Sequence, residues 1–120
     1  MFRFAHNCLN VLDLSRSLKF YADALDLHEI GVLDGGNSFK IVYLGDKFGS
    51  LHKLELKWIP NRKIPYNLGE NAVHLAFTTK NFAEAHARHE KMGCICFENK
   101  KFGIYFIKDP DGYLIEVLSE

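Results

Sequence analysis

The sequence predicts an α+β fold made of two βαβββ modules, and three observations lead there. The order strand, helix, three strands reads once in residues 1–58 and again in residues 72–120. Between them, residues 59–71 gather Pro60, Asn61, Pro65, Asn67 and Gly69, the composition of a linker. Each half also carries one His in its first strand and one Glu in its last.

The elements follow in order. Phe4 to Val11 reads as a strand. Asp13 is placed to cap a helix on which Leu14, Leu18, Tyr21, Ala22 and Leu25 recur at helical spacing. Strands are expected at His28 to Leu33, Ser38 to Leu44 and Leu51 to Trp58, punctuated by Gly35-Gly36-Asn37 and Gly45-Asp46. The second half opens with a strand from Ala72 to Thr79. Asn81 is the expected cap of a helix carrying Phe82, Ala85, His86, His89 and Met92, and Gly93 is placed to stop it. Three strands close the chain: Cys94 to Glu98, Phe102 to Ile107 and Tyr113 to Leu118. Asp109-Pro110-Asp111-Gly112 is a strong turn signal before the last of these.

Composition narrows the function classes. The 120 residues are 48% hydrophobic and 25% charged with zero formal net charge, which suits one folded domain and lacks the basic surface of a nucleic-acid binder. No apolar run reaches membrane-span length, and Met1 to His6 hold no signal-peptide core. Three cysteines, Cys8, Cys94 and Cys96, are too few and odd in number for a disulfide framework, so a reducing cytoplasm is expected. Cys94 and Cys96, two apart, should share a strand face as small core or edge residues.

Four residues stand out as metal ligands. His6 and Glu55 lie in the first and last strands of the first half, and His74 and Glu116 in those of the second, at separations of 49 and 42 residues. Strand alternation puts Leu54 and Leu56, and Ile115 and Val117, on the helix side, which turns Glu55 and Glu116 to the opposite face. A carboxylate there needs a partner, because burying an unpaired charge is costly. Taken singly, a strand His is more often a hydrogen-bonded structural residue, and an inward Glu is more often paired with a Lys. Lys53 and Lys57 share the face of Glu55, as partners for it or for an anionic substrate group. The matched quartet is what those single-residue readings fail to explain. Two imidazoles and two carboxylates suit Zn²⁺, Ni²⁺, Co²⁺, Fe²⁺ or Mn²⁺. His52 faces away from Glu55, His86 and His89 read as helix surface or core edge, and His28 has no visible partner.

These residues carry a family resemblance over nearly the whole chain. HNCLNVLDLSRSLKFY from His6 to Tyr21, Leu54-Glu55-Leu56, Tyr66-Asn67-Leu68-Gly69, Val73-His74-Leu75-Ala76 and Asp109 through Glu116 resemble glyoxalase I, or lactoylglutathione lyase, of the vicinal oxygen chelate superfamily. The resemblance implies paired modules forming a cupped mixed sheet around one divalent metal per site, Ni²⁺ or Zn²⁺ first. It implies His6, Glu55, His74 and Glu116 as ligands, with Glu116 as catalytic base and Glu55 able to act on the opposite face. It further implies a small-molecule substrate and a homodimer whose sites take ligands from both chains.

Other activities of the superfamily are weaker fits. A methylmalonyl-CoA epimerase-like enzyme usually has Gln where this chain has Glu55. An extradiol dioxygenase-like enzyme needs two His and one carboxylate around Fe²⁺. A ligand-sequestering protein of the bleomycin-resistance type has no use for the quartet. Two departures bear on the thiol. Asn10 stands where glutathione-specific members carry Arg, and Ile59-Pro60 where they often carry Asn. The segment after Cys96 is also short. Glutathione is therefore expected to be a poor co-substrate.

Overall fold

Turn and cap residues set most element ends in the computed structural model, which describes residues 1–120. Two compact units are present, Met1–Tyr66 and Asn67–Glu120. The first contains β1 (His6–Val11), α1 (Leu14–Leu25), β2 (His28–Asp34), β3 (Lys40–Gly45) and β4 (Lys53–Trp58). The second contains β5 (His74–Thr79), α2 (Phe82–Met92), β6 (Ile95–Asn99), β7 (Ile104–Lys108) and β8 (Leu114–Ser119). Every expected element is there, with strands trimmed or shifted by one or two residues. Residues 59–71 hold neither helix nor strand.

Each unit builds one open four-stranded mixed sheet. The strand orders are β1-β4-β3-β2 and β5-β8-β7-β6, so the same topology occurs twice. In both, the first strand pairs parallel with the last, and the other pairings are antiparallel. Parallel neighbours need a long crossover, and here the helix and two strands supply it.

Local chemistry explains the ends. The Asp13 carboxylate accepts a hydrogen bond from the Arg16 amide at 3.0 Å, the expected N-cap of α1. Gly93 ends α2 in the left-handed region at φ 69°, where a side chain is disfavoured. Asn81 departs from expectation: its side chain makes no capping bond, and its own amide donates to Thr79 Oγ1 at 3.1 Å. Cys94 and Cys96 depart too. Cys94 precedes β6, and the register shifts between Ile95 and Phe97, so a bulge at Cys96 breaks the two-residue alternation.

The core of the first unit places Tyr21, Ala24 and Leu27 with Val11, Val42, Leu44, Leu54 and Leu56, all at most 5% exposed. Leu54 and Leu56 therefore face inward as the alternation requires. In the second unit Tyr105, Ile107, Ile115 and Val117 are buried, and His89 joins them at 1% exposure. That burial corrects the reading of His89 as surface or core edge. Its Nδ1 meets the Tyr105 hydroxyl at 2.8 Å, which satisfies a polar ring the core would otherwise exclude. His86 stays at the edge, bonded to Glu98, with Glu90 at 4.0 Å.

Desolvation by burial pushes the Tyr105 phenol up from its usual 10 to about 12, with further raising from Cys94. The unfolded chain releases this proton near pH 10, whereas the folded chain holds it until about pH 12. The resulting stability is fully present below pH 10 and is lost as pH rises through 12. The expected loss is on the order of 2–3 kcal/mol. Urea denaturation at pH 8 and at pH 12 checks this, comparing the chain with Tyr105→Phe. A variant showing the same alkaline loss as the parent removes Tyr105 as its source.

Candidate metal centre

In each sheet, the His and the Glu singled out in the sequence meet across the parallel pair. The Lys53 amide donates to the Ala5 carbonyl at 3.0 Å, which fastens the start of β1 to β4 just before His6. In register, His6 pairs with Lys53 and Cys8 with Glu55. Two residues along a strand return to the same face, so His6 and Glu55 are diagonal neighbours. His6 Nε2 lies 3.4 Å from Glu55 Oε1.

The second sheet repeats the arrangement. His74 pairs with Leu114 and Ala76 with Glu116, the same two-residue offset. His74 Nε2 lies 3.1 Å from Glu116 Oε2. Asp109 positions β8: its carboxylate accepts from the Asp111 and Tyr113 amides, both at 2.9 Å. Gly112 turns the chain at φ 94°, and its carbonyl accepts from Asn71 Nδ2 at 3.0 Å. Glu116 follows four residues later. The His side chains are 45% and 43% exposed, against 9% and 16% for their Glu partners, so the two pairs present the same half-open profile.

The donor sets fit a divalent ion. Two donors each about 2.0–2.2 Å from one ion stand about 2.8–3.6 Å apart for angles between square and tetrahedral. Both observed N···O separations, 3.4 and 3.1 Å, fall in that window. One imidazole nitrogen and one carboxylate oxygen per pair suit Zn²⁺ or Ni²⁺. Neither unit gathers three or more His, Cys, Asp or Glu side chains into a ready-made metal set. The four candidate ligands thus come as two pairs, one in each unit.

The remaining candidates are engaged elsewhere. Lys57 Nζ lies over the Phe39 ring at 5.3 Å, and the side chain beside the Glu55 carboxylate is His6. His52 Nε2 bonds Asn7 Oδ1 at 2.8 Å. Asn10 stands on β1 in register with Lys57. Arg62 stacks on the Tyr66 ring at 3.9 Å, and its Nε donates to the Ile64 carbonyl at 2.8 Å. An open cleft of about 410 Å³ in the second unit is lined by residues including Phe82, His86, Glu98 and Tyr105. His74 and Glu116 are not among its walls, so it is separate from the candidate centre.

Two neighbours of Glu55 were not singled out in the sequence. Tyr43 on β3 and Cys8 on β1 are its register partners, one on each side of β4. The neighbouring Glu55 carboxylate is the main cause raising the Tyr43 phenol above its usual value. Desolvation is the main cause for the Cys8 thiol, with the Glu55 charge next. The available signal was periodicity: Cys8 is two residues beyond His6, on the same face.

Comparison with known proteins settles the family. The model of the Glyoxalase/Bleomycin resistance protein/Dioxygenase superfamily matches residues 3–117. The chain belongs to this superfamily. Within it, the chain is 30% identical to the lactoylglutathione lyase of Neisseria meningitidis serogroup A, covering 98% of this chain and 91% of that protein. It is 29% identical to a probable lactoylglutathione lyase of Vibrio parahaemolyticus, over 98% and 90% of the two chains. Among solved structures, the trypanothione-dependent glyoxalase I of Leishmania major matches with a TM-score of 0.87 and 31% identity, covering 100% of this chain and 88% of that one. The twofold βαβββ fold of this superfamily member is therefore that of glyoxalase I. None of its helices is long and apolar enough to cross a membrane.

Proposed function

We propose that this superfamily member is a metal-dependent lyase/isomerase of the glyoxalase I type. It would convert the hemithioacetal of methylglyoxal and a thiol into the 2-hydroxyacyl thioester, with His6, Glu55, His74 and Glu116 holding one divalent ion. The observation that carries this reading is the His–Glu pair repeated at the same register in both sheets. Similarity to lactoylglutathione lyases along the chain supports it.

A divalent ion, when bound, supplies Lewis-acid stabilisation of the negative charge that develops on the substrate oxygens. The proton transfer belongs to the chain. The Glu116 carboxylate takes the proton from the carbon bearing sulfur and returns it to the neighbouring carbonyl carbon. The hydroxyl proton of the first carbon passes to the neighbouring oxygen, so that hydroxyl becomes the thioester carbonyl and the neighbouring carbonyl becomes the new hydroxyl. No electrons enter or leave. Each metal set takes one pair from each of two chains, in a cytoplasmic homodimer.

The thiol in this proposal is not glutathione. Asn10 lacks the charge of the expected Arg, and Ile59 lacks the polar group of the expected Asn. Arg62, a cation at hand to compensate, is committed to Tyr66 and the Ile64 carbonyl. The Leishmania major protein, described as trypanothione-dependent, supports a different thiol. Losing one hydrogen bond to a charged group lowers affinity about tenfold to a hundredfold.

The test is an isomerase assay on methylglyoxal adducts of glutathione, trypanothione and other thiols, with Ni²⁺, Co²⁺ and Zn²⁺ in turn. The expected kcat/KM for glutathione is at least about tenfold below that for the best thiol. Equal constants sink the thiol reading. No isomerisation with any thiol or metal sinks the function.

A further inference from the structure

The two His–Glu pairs sit in matching registers, so their surroundings compare position by position. Glu55 in β4 stands between Cys8 on β1 and Tyr43 on β3. Glu116 in β8 stands between Ala76 on β5 and Phe106 on β7. The His rings match as well. His6 meets Tyr43 edge-on and His74 meets Phe106 edge-on, each at an interplanar angle of 81°. Cys8 and Ala76 are both exposed, and Tyr43 and Phe106 both half-buried. What separates these flanking positions chemically is one sulfur atom and one oxygen atom. Both belong to groups able to donate to a carboxylate, and both groups stand beside Glu55 in register. Ala76 and Phe106 have no side-chain donor to offer Glu116.

We infer that Tyr43 and Cys8 are positioning residues that fasten the Glu55 carboxylate as a fixed ligand, leaving Glu116 as the carboxylate able to turn and carry the proton. This rests on the metal-centred reading above. A carboxylate has about four lone-pair sites, so it has room to accept from a phenol and a thiol and still face His6 and an ion. Donors to an ionised carboxylate form the stronger class of hydrogen bond, and outer partners of this kind orient metal ligands. A carboxylate that must release the ion to take a proton is hindered by the same bonds. The asymmetry thus assigns different work to two glutamates that the topology makes equivalent.

The experiment converts one pair's surroundings into the other's. Tyr43→Phe with Cys8→Ala gives Glu55 the neighbours of Glu116, and each change deletes a single heavy atom. Zn²⁺ affinity is measured by competition with a chromophoric chelator on the full chain, alongside a thermal melt and kcat. The double variant should melt as the parent does but bind Zn²⁺ about 10–100-fold more weakly. Cys8→Ser, which keeps a donor, should restore most of the share lost in Cys8→Ala. The reciprocal pair, Ala76→Cys with Phe106→Tyr, should tighten Zn²⁺ binding and lower kcat. A folded double variant with parental Zn²⁺ affinity overturns this inference and leaves the metal reading standing. A parent protein that takes up no divalent ion overturns both. If Tyr43→Phe with Cys8→Ala fails to fold, the reciprocal pair decides, and unchanged affinity and kcat there overturn the inference.

Discussion

Glu116→Gln is expected to lower turnover by at least about 100-fold, the lower end of what a positioned general base contributes. The amide that replaces the carboxylate accepts no proton at neutral pH, so the transfer between adjacent carbons loses its carrier. The fold should survive. Ile115 and Val117, at 0% and 2% exposure, anchor β8 through the opposite face, and neither changes. The substitution also alters a proposed metal ligand, so metal content has to be measured on the same sample. A variant that binds less metal and regains no activity when loaded supports a base that is also a ligand. Full turnover by a metal-loaded Glu116→Gln protein moves the proton transfer to Glu55. The neighbours of the two glutamates give a reason to expect otherwise, since Glu55 stands between two side chains able to donate, Cys8 and Tyr43, and Glu116 between Ala76 and Phe106.

The sequence discloses those features that depend on neighbours along the chain. Asp13 caps α1 because a carboxylate at that position reaches an amide three residues on. Asp109 to Gly112 form the expected turn because Asp accepts local amides and Gly tolerates positive φ. Alternation in β4 and β8 likewise turned Leu54, Leu56, Ile115 and Val117 inward. What escaped depends on register between strands. Nothing in HNCLNV says that Cys8 lies opposite Glu55, or that Tyr43 flanks it from the other side. A one-residue slip would have placed other side chains there. His89 escaped for the same reason: its burial depends on a hydroxyl from Tyr105, sixteen residues away on β7. Asn81 shows the converse error, because a residue type suited to capping sits at the right place with its side chain unused.

Mixing two inactive variants is expected to restore activity to about a quarter of the sites. Glu55→Gln damages the pair in the first unit, and Glu116→Gln damages the pair in the second. Each variant alone should fall by about 100-fold or more, because every site of a homodimer built from it would carry the lesion. Neither unit gathers three or more metal-binding side chains by itself, and each holds one His–Glu pair. If a site joins the first-unit pair of one chain to the second-unit pair of its partner, a hybrid dimer has two unlike sites. One site collects both substitutions. The other collects none, and keeps His6, Glu55, His74 and Glu116 intact. Equal amounts of the two chains, unfolded together and refolded, give about half hybrids, hence about one intact site in four. Turnover of the mixture should rise on the order of 25-fold above either parent, taking the parents at about 1% of the unsubstituted chain. The measurement is kcat per total chain before and after co-refolding, with zinc and nickel loading matched. If all four ligands instead come from one chain, every chain in the mixture carries a lesion. Co-refolding then gains nothing, and the cross-chain site falls while the metal quartet itself stands.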